Sequence, residues 1–224
     1  MAIIMQPTNL KEFLKDKLTE EELKLVPKSF DVIGSKEKSV AIVEIPEELV
    51  EKEKLVAEAI MKLNKSIKSV LKKASERKGE LRLREYELLA GDKNTEVTHI
   101  EYGCLFRLDP RKVYFSPREL TERQRIASKV KPNEVVMLMF AGVGAYAVFI
   151  AKKQPKVKII SVELNSDAFG YMEENIRINK LSHLIVSVLG DVREKCKKWY
   201  GKCDRIIMPL PMGAESFLDV AITA

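Results

Sequence analysis

The sequence has few residues of the kinds that build disulfide frameworks or metal sites. Three cysteines, Cys104, Cys196 and Cys203, and two histidines are scattered among 224 residues. An odd number of dispersed cysteines argues against a disulfide framework, and so few thiol and imidazole ligands argue against a zinc site. This cysteine usage is typical of a reducing compartment, so we expect a cytoplasmic protein that binds no metal.

Long apolar segments are also missing. No apolar run approaches the roughly 20 residues that a membrane helix requires, and residues 1–7 carry no basic leader, so we expect neither a membrane span nor a signal peptide. With 46% hydrophobic and 32% charged residues, the composition is that of a globular protein with a sizeable core. The net charge of +6 permits a polyanionic partner, although abundant Lys and Glu would also form surface ion pairs.

The first half of the chain has the pattern of an α+β domain. Short helices are predicted at 10–14 and 20–25, and the stretch 46–63 carries apolar residues on one helical face. Ser116-Pro117 marks a boundary, so we predict an α+β domain over 1–116 and a linker helix over 117–132. The strand-like runs of this half lie at 30–34, 39–45, 69–71, 87–89, 96–100 and 105–108.

In the second half, strands alternate with helices. This alternation implies βαβ units and a parallel sheet, and therefore an α/β, Rossmann-like domain over 133–224. Such sheets normally carry further strands, so we expect this domain to be incomplete, either as a truncated or as a degenerate form, and we favour truncation. The predicted strands are 134–139, 157–162, 184–189 and 204–208, with helices at 143–151 and 166–179.

A glycine turn, Phe140-Ala141-Gly142-Val143-Gly144, joins the first of these strands to its helix. Glycines let the backbone turn tightly and approach a ligand, and the N–H groups at the start of a helix favour electron-rich groups. A lone G-x-G is a weak signal, because a tight βα turn without a ligand explains it as well.

Carboxylates and prolines follow the other three strands. Glu163 ends the second strand, Asp191 follows the third, and Met208-Pro209-Leu210-Pro211 ends the fourth. All these strand ends lie at the sheet edge where ligands bind. A carboxylate at Glu163 can accept hydrogen bonds from two ribose hydroxyls, and Asp191 can accept from an exocyclic amine. Each feature alone is ordinary loop chemistry, but together they predict a nucleotide-type cofactor site.

Several motifs resemble those of the archaeal and eukaryotic tRNA (guanine-37, N1) methyltransferases, a family that includes wyosine-pathway relatives. The Val-Tyr-Phe-Ser-Pro-Arg run is far more specific than the glycine turn. The motifs that carry the resemblance are Gly79-Glu80-Leu81-Arg82-Leu83-Arg84-Glu85, Leu88-Leu89-Ala90-Gly91, Glu101-Tyr102-Gly103-Cys104, Lys112-Val113-Tyr114-Phe115-Ser116-Pro117-Arg118, Glu122-Arg123, Met139 to Gly144, Gly190 to Glu194, and Asp204 to Pro211.

The resemblance implies a class I methyltransferase domain that binds S-adenosyl-L-methionine, preceded by the family's smaller tRNA-binding domain. By position, Glu122 would remove the N1 proton of guanine and Arg82 would contact O6. Both roles are needed for the reaction, because N1 is protonated at neutral pH and negative charge develops on O6 when N1 loses that proton. The cofactor contacts implied in the same way are Arg118, Phe140, Gly142, Val143, Gly144, Glu163, Asp191, Val192, Pro209 and Pro211.

Two departures from the family pattern leave alternatives open. Leu138 stands where relatives usually have an acidic residue, and Pro209 stands where they commonly have Asn. Proline has neither a backbone N–H nor a side-chain amide. Besides methylation of guanosine 37, the sequence therefore allows a wyosine-pathway transferase, which would move an aminocarboxypropyl group or methylate a wyosine intermediate. It also allows a truncated, non-catalytic protein that binds RNA or cofactor.

A basic stretch supports an RNA partner. Nine basic residues lie between Lys62 and Glu85, against three acidic ones, and such a stripe can follow a phosphate backbone. Tyr86 and Tyr114 are candidates for stacking on an unpaired base, although such tyrosines are more often packing residues. We expect the anticodon loop of tRNA as the partner and a monomeric chain. The basic residues are Lys62, Lys65, Lys68, Lys72, Lys73, Arg77, Lys78, Arg82 and Arg84.

Overall fold

A computed structural model describes residues 8–75, 84–210 and 213–224. Two of the predicted site residues, Arg82 and Pro211, lie outside the described residues. The chain divides into two compact units, one of Met1–Tyr102 with Asp109–Arg111 and the other of Gly103–Leu108 with Lys112–Ala224. The observed division thus falls earlier than the boundary expected at residue 116.

The first unit is built on a four-stranded sheet with the order β1 (Asp31–Gly34), β2 (Ser39–Val43), β3 (Ile67–Lys73) and β4 (Tyr86–Gly91). β2 and β3 are parallel, and the other two pairings are antiparallel. The predicted helix over 46–63 starts as a 3-10 helix, Glu47–Lys52, after Pro46 and becomes α-helical from Glu53. The elements of this unit are α1 (Thr8–Leu14), α2 (Glu20–Leu25), β1 (Asp31–Gly34), β2 (Ser39–Val43), α3 (Glu53–Leu63), β3 (Ile67–Lys73), β4 (Tyr86–Gly91) and β5 (Val97–Glu101).

The core of the first unit lies between α3 and the sheet. α3 turns Val56, Ala57 and Ile60 inward, and these side chains share one apolar cluster with β2 and β3. Every residue of β2 is buried, as expected for a strand paired on both sides. Burial of this face supplies most of the stabilisation of the helix, because its intrinsic helical propensity alone would leave 11 residues only marginally stable.

The second unit is the Rossmann-like domain that the sequence predicts. Its sheet has the order β10 (Arg205–Ile207), β7 (Val135–Met139), β8 (Lys158–Glu163) and β9 (Ile185–Leu189), and all of these strands are parallel. Short 3-10 helices occur at Pro117–Glu119, Lys197–Trp199 and Ala214–Phe217. The elements are β6 (Cys104–Leu108), α4 (Leu120–Ala127), β7 (Val135–Met139), α5 (Ala145–Lys153), β8 (Lys158–Glu163), α6 (Ser166–Ile178), β9 (Ile185–Leu189), α7 (Val192–Lys195), β10 (Arg205–Ile207) and α8 (Leu218–Thr223).

The two central strands, β7 and β8, are apolar on both faces. Met137, Met139, Ile160 and Val162 belong to the core on the side of α7 and α8. On the opposite face α5 is buried from Ala145 to Ala151. Parallel strands that are covered on both faces appear in the sequence as nearly continuous apolar runs, and these two strands could therefore be predicted.

Two buried asparagines, Asn175 of α6 and Asn179 at its C-terminal end, bind β6 as a neighbouring strand would. The Asn175 amide accepts from Arg107 N at 2.7 Å and donates to Arg107 O at 3.1 Å, and Asn179 does the same for Leu105 at 3.1 and 2.7 Å. Since an unpaired buried backbone group is costly, these four bonds tie β6 to α6. They explain why 103–108 belongs with the second unit although the sequence assigns it to the first.

Two lysines of the basic stripe are already engaged within the first unit. Lys72 Nζ lies 2.6 Å from Glu53 and 3.6 Å from Glu87, and Lys73 binds the Glu44 carboxylate. The hydrogen bond with Glu53 raises the pKa of Lys72. These two side chains are therefore less available to a phosphate backbone than the sequence suggests.

The described residues contain no helix whose length and apolarity would let it cross a membrane. Within the same parts of the chain, no group of three or more His, Cys, Asp or Glu side chains is placed to hold a metal ion.

Candidate active site

The glycine turn adopts the left-handed backbone that its sequence predicts. Gly142 has φ +56° and Gly144 φ +81°, and Phe140 is held at φ +59° although it is not a glycine. Such a conformation costs a non-glycine residue roughly 1 kcal/mol, so the surrounding structure has to impose it. A side chain at Gly144 would meet Met172 Cγ at 2.9 Å, whereas the nearest atom to one at Gly142 would be Tyr114 O at 4.0 Å. The backbone at Gly142 is therefore open to a ligand.

The Glu163 carboxylate is fixed at the end of β8 by two backbone N–H groups. It accepts from Gly142 N at 2.6 Å and from Asn165 N at 2.8 Å. Burial raises the pKa of Glu163, and the backbone hydrogen bonds oppose that shift. A carboxylate has about four acceptor positions, so two remain for the hydroxyls of a ribose. The residues at this strand end therefore fit a nucleoside.

The end of β9 is tied to the same carboxylate residue. Gly190 N donates to Glu163 O at 2.8 Å, which places Asp191 beside it. Asp191 caps α7 by accepting from Arg193 N at 2.7 Å, and its second oxygen lies 3.3 Å from Arg193 Nη1. Val192 is buried in the core, so its side chain serves packing.

A cavity lies beside the glycine turn, and we call it the turn cavity. One of its walls is polar and contains the buried Arg123. Arg123 is only 1% exposed, donates to Ser116 O at 3.2 Å and stacks 5.0 Å from the centre of the Phe115 ring. The Tyr114 hydroxyl donates to the carboxylate of Glu119. The cavity is lined by Tyr114, Phe115, Ser116, Glu119, Arg123, Phe140, Ala141, Gly142, Val143, Ala145, Tyr146 and Pro209.

A second cavity, the edge cavity, runs along β10. Tyr146 and Pro209 line both cavities, so the two adjoin at these residues. The edge cavity brings Glu122 of α4 close to the end of β10. Its lining residues are Glu122, Ile126, Lys129, Tyr146, Arg205, Ile206, Ile207, Met208 and Pro209.

Glu122 is held by a neighbour on its own helix. Arg125 donates to it from Nε at 2.6 Å and from Nη2 at 2.5 Å. The two side chains are 45% and 49% exposed. The Arg125 hydrogen bond lowers the pKa of Glu122, so the carboxylate is a weaker base while this pair is closed.

The other predicted site residues, and Leu138, differ in whether they line a cavity or pack in the core. Arg118 lies in the 3-10 helix that precedes α4, outside the lining of the turn cavity. Phe140 makes an edge-to-face contact with Phe217 at 4.8 Å between ring centres, so it also serves packing. Leu138 is fully buried beside Ser161, whose hydroxyl has no hydrogen-bond partner among the described residues.

A family model described as the TRM5/TYW2 methyltransferase domain matches residues 97–224. The chain belongs to the TRM5/TYW2 family. The resemblance stated from the motifs is thereby confirmed, and with it the Rossmann-like methyltransferase fold. A second model, the TYW2 N-terminal domain, matches residues 10–95.

Similar proteins come from both branches of the TRM5/TYW2 family. The chain is 42% identical, over 97% of its length, to a Pyrococcus abyssi protein named tRNA (guanine(37)-N(1))-methyltransferase Trm5b and covers 62% of that protein. A solved complex of aTrm5 and tRNALeu superimposes with a TM-score of 0.82 at 38% identity, covering 98% of this chain and 63% of the other. The structure of P. horikoshii TYW2 with MeSAdo gives 0.78 at 32% identity, covering 96% and 74%.

The chain spans about 62% of the length of the Trm5b relatives that it matches. Sequence reasoning singled out Glu122, Glu163, Asp191 and the glycine turn as candidate site residues. It did not single out Glu119 and Tyr146, which line the turn cavity, because an acidic residue before a helix and an aromatic residue in an apolar helix are both unremarkable as sequence.

Proposed function

We propose that this chain carries out S-adenosylmethionine-dependent methylation of N1 of guanosine 37 in tRNA. The observation that carries the proposal is the meeting of the two cavities at Tyr146 and Pro209, with the glycine turn on one side and Glu122 on the other. The names of the Trm5b relatives, which are about 40% identical over nearly the whole chain, support the same activity.

Residues of the glycine-turn region would hold the cofactor. When bound, S-adenosylmethionine supplies an activated methyl group. The Glu163 carboxylate would accept from both ribose hydroxyls, because its two oxygens are already oriented by Gly142 and Asn165. Asp191 would accept from the adenine amine, and Arg118 would bind the carboxylate of the methionine part. The open backbone at Gly142 would let the cofactor approach closely.

Glu122 would act as the general base on guanine. Its carboxylate would take the N1 proton, leaving a lone pair on N1 and negative charge on O6, which Arg82 would stabilise. The lowered pKa keeps Glu122 ionised but weakens it as a base. Release from Arg125 would therefore favour proton transfer, and an RNA phosphate is a suitable competitor for that guanidinium.

The proposed partner is the anticodon loop of tRNA. The complex of aTrm5 with tRNALeu supports tRNA as a ligand of this fold. The remaining basic residues of the stripe would contact the phosphates, and binding would weaken as salt rises. The monomeric state and the cytoplasmic location stay predictions.

A second function, aminocarboxypropyl transfer in the wyosine pathway, is favoured by one observation. The first unit matches the TYW2 N-terminal domain over residues 10–95. In addition, a Methanocaldococcus jannaschii protein named tRNA(Phe) (4-demethylwyosine(37)-C(7)) aminocarboxypropyltransferase is 38% identical over 68% of this chain.

The two functions differ in the mass that they add to the nucleoside. We expect incubation with S-adenosylmethionine and a tRNA transcript carrying G37 to add one methyl group to that nucleoside, as read by mass spectrometry after digestion. A transcript carrying A37 is the control and should stay unmodified. A heavier aminocarboxypropyl product on a wyosine precursor would favour the second function, and no binding of S-adenosylmethionine by calorimetry would contradict both.

Replacing Arg125 by Ala should raise the pKa of Glu122 towards its ordinary value, because the hydrogen bond that lowers it is removed. A carboxylate with a higher pKa protonates at higher pH, so the acid limb of the kcat/KM profile should move to higher pH. The acid limb of the kcat profile reports the enzyme with its substrates bound. It should stay in place if bound RNA already separates Arg125 from Glu122 in the wild type. Equal shifts of both limbs would show that Arg125 stays on Glu122 during catalysis.

A further inference from the structure

Tyr146 stands where the turn cavity and the edge cavity adjoin. It is the second residue of α5, directly after the glycine turn, and is 8% exposed. Among the residues that the structure describes, only Tyr146 and Pro209 line both cavities. The two cavities therefore adjoin at these residues.

The Tyr146 hydroxyl lies near charged and polar groups. No described residue forms a hydrogen bond with it, whereas Glu119, Glu122, Arg123 and Tyr114 are close enough to affect its ionisation. Burial raises the pKa of Tyr146 to about 12. The group is thus a neutral hydroxyl near neutral pH, able to donate a hydrogen bond but unable to serve as a base. Because Tyr146 lines both cavities and no described residue engages its hydroxyl, that hydroxyl is available to a ligand atom.

We propose that the Tyr146 hydroxyl contacts the target guanine and donates a hydrogen bond to its O6. This inference rests on the proposed function and deepens it by naming a base-contact residue. The methylated nitrogen has to be reached by Glu122 from the edge cavity and by the methyl group from the turn cavity. N1 therefore lies at the junction of the cavities, and O6 is bonded to the adjacent ring carbon.

Of the two residues at this junction, only Tyr146 can donate a hydrogen bond. Pro209 has no N–H, so it offers O6 nothing but an acceptor and apolar surface. As N1 loses its proton to Glu122, negative charge develops on O6, and a neutral donor already in place stabilises that charge. An acceptor at the same point would repel it. The Tyr146 hydroxyl would therefore be a second donor to O6, beside the guanidinium of Arg82.

The test removes the hydroxyl and the O6 atom separately. Tyr146→Phe keeps the ring and its packing, and Tyr200→Phe is the matched control, because Tyr200 is a partly buried tyrosine on the core side of the same unit. Each protein is given S-adenosylhomocysteine and tRNA carrying either guanine or 2-aminopurine at position 37. 2-Aminopurine lacks both O6 and the N1 proton, so the change in preference between the two proteins, and not the preference itself, reports on the contact of the hydroxyl with O6. Binding of both RNAs, single-turnover methyl transfer to G37, affinity for S-adenosylmethionine and melting temperature are measured.

We expect Tyr146→Phe to slow methyl transfer roughly 10- to 100-fold and to shrink the binding preference for guanine over 2-aminopurine by about tenfold. Cofactor affinity and melting temperature should change little, and Tyr200→Phe should behave as the wild type. A merely structural tyrosine would lower the melting temperature without changing the preference between the two bases.

Three results would overturn the inference. An unchanged preference with normal transfer in Tyr146→Phe would show that the hydroxyl does not touch O6, while the proposed function would stand. Loss of cofactor affinity with an intact base preference would assign the hydroxyl to the cofactor. A wild-type chain that neither methylates G37 nor prefers guanine would refute the proposed function itself, and the inference with it.

Discussion

Glu122→Gln is expected to reduce methyl transfer to G37 by about 100- to 10,000-fold, the usual contribution of a positioned general base. Glutamine has nearly the same shape as glutamate but cannot take a proton at neutral pH. The Glu122 side chain is 45% exposed and borders the edge cavity, so the substitution should leave folding, cofactor binding and tRNA binding nearly unchanged. Single-turnover transfer with saturating tRNA would measure the loss directly.

The matched control for this variant is Glu174→Gln. Glu174 belongs to α6 of the same unit and, like Glu122, is paired with arginine, at 2.7 Å from Arg107 and 3.8 Å from Arg177. It lines neither cavity, so its loss should leave transfer intact. If Glu122→Gln kept the wild-type rate, another group or a water molecule would have to remove the N1 proton, and the assignment of the base would be wrong.

Glu163→Gln is expected to weaken S-adenosylmethionine binding by roughly 10- to 100-fold, because one charge-assisted hydrogen bond is lost. The carboxylate accepts from Gly142 N and Asn165 N with one oxygen each. In glutamine one of these oxygens becomes an NH2 group, which would face a backbone N–H and could not accept from a ribose hydroxyl. Calorimetric titration of the cofactor measures the change.

Asp204→Asn is a suitable control for that variant. Asp204 also accepts from a backbone N–H of the sheet, Val135 N at 2.8 Å, but at the opposite end of β7. The variant should bind the cofactor normally. A similar loss of affinity in both variants would mean that Glu163 acts through the stability of the sheet rather than by contact with the ribose.

The parallel sheet and its ligand edge could be predicted because their signals are local. Apolar runs identify β7, β8 and β9, and the backbone of the glycine turn follows from residues that tolerate positive φ. Glu163 could be placed for the same reason, since it ends an obvious strand. Its hydrogen bond to Gly142, however, joins residues 21 positions apart and depends on the register between β7 and β8.

The features that the sequence could not predict depend on contacts between residues that are far apart along the chain. Arg123 looks like a surface charge, but Phe115, Phe149 and the Ser116 carbonyl surround it. Tyr146 sits in an apolar helix, and only the approach of α4 and β10 turns its position into the border of two cavities. The boundary between the units was displaced for a similar reason, since the asparagines that bind β6 come about 70 residues later.

Asn175 forms a further hydrogen bond that reaches the glycine turn, although Asn175 itself lines neither cavity. Besides its two bonds to Arg107, its amide nitrogen donates to Val143 O, within the glycine turn, at 3.0 Å. One small side chain thus provides two donors and one acceptor to two separate stretches of backbone. Aspartate lacks the donors, leucine lacks all three groups, and glutamine is one methylene too long. The choice of amino acid at this position is therefore as narrow as at a catalytic residue, although Asn175 would touch neither the cofactor nor the RNA.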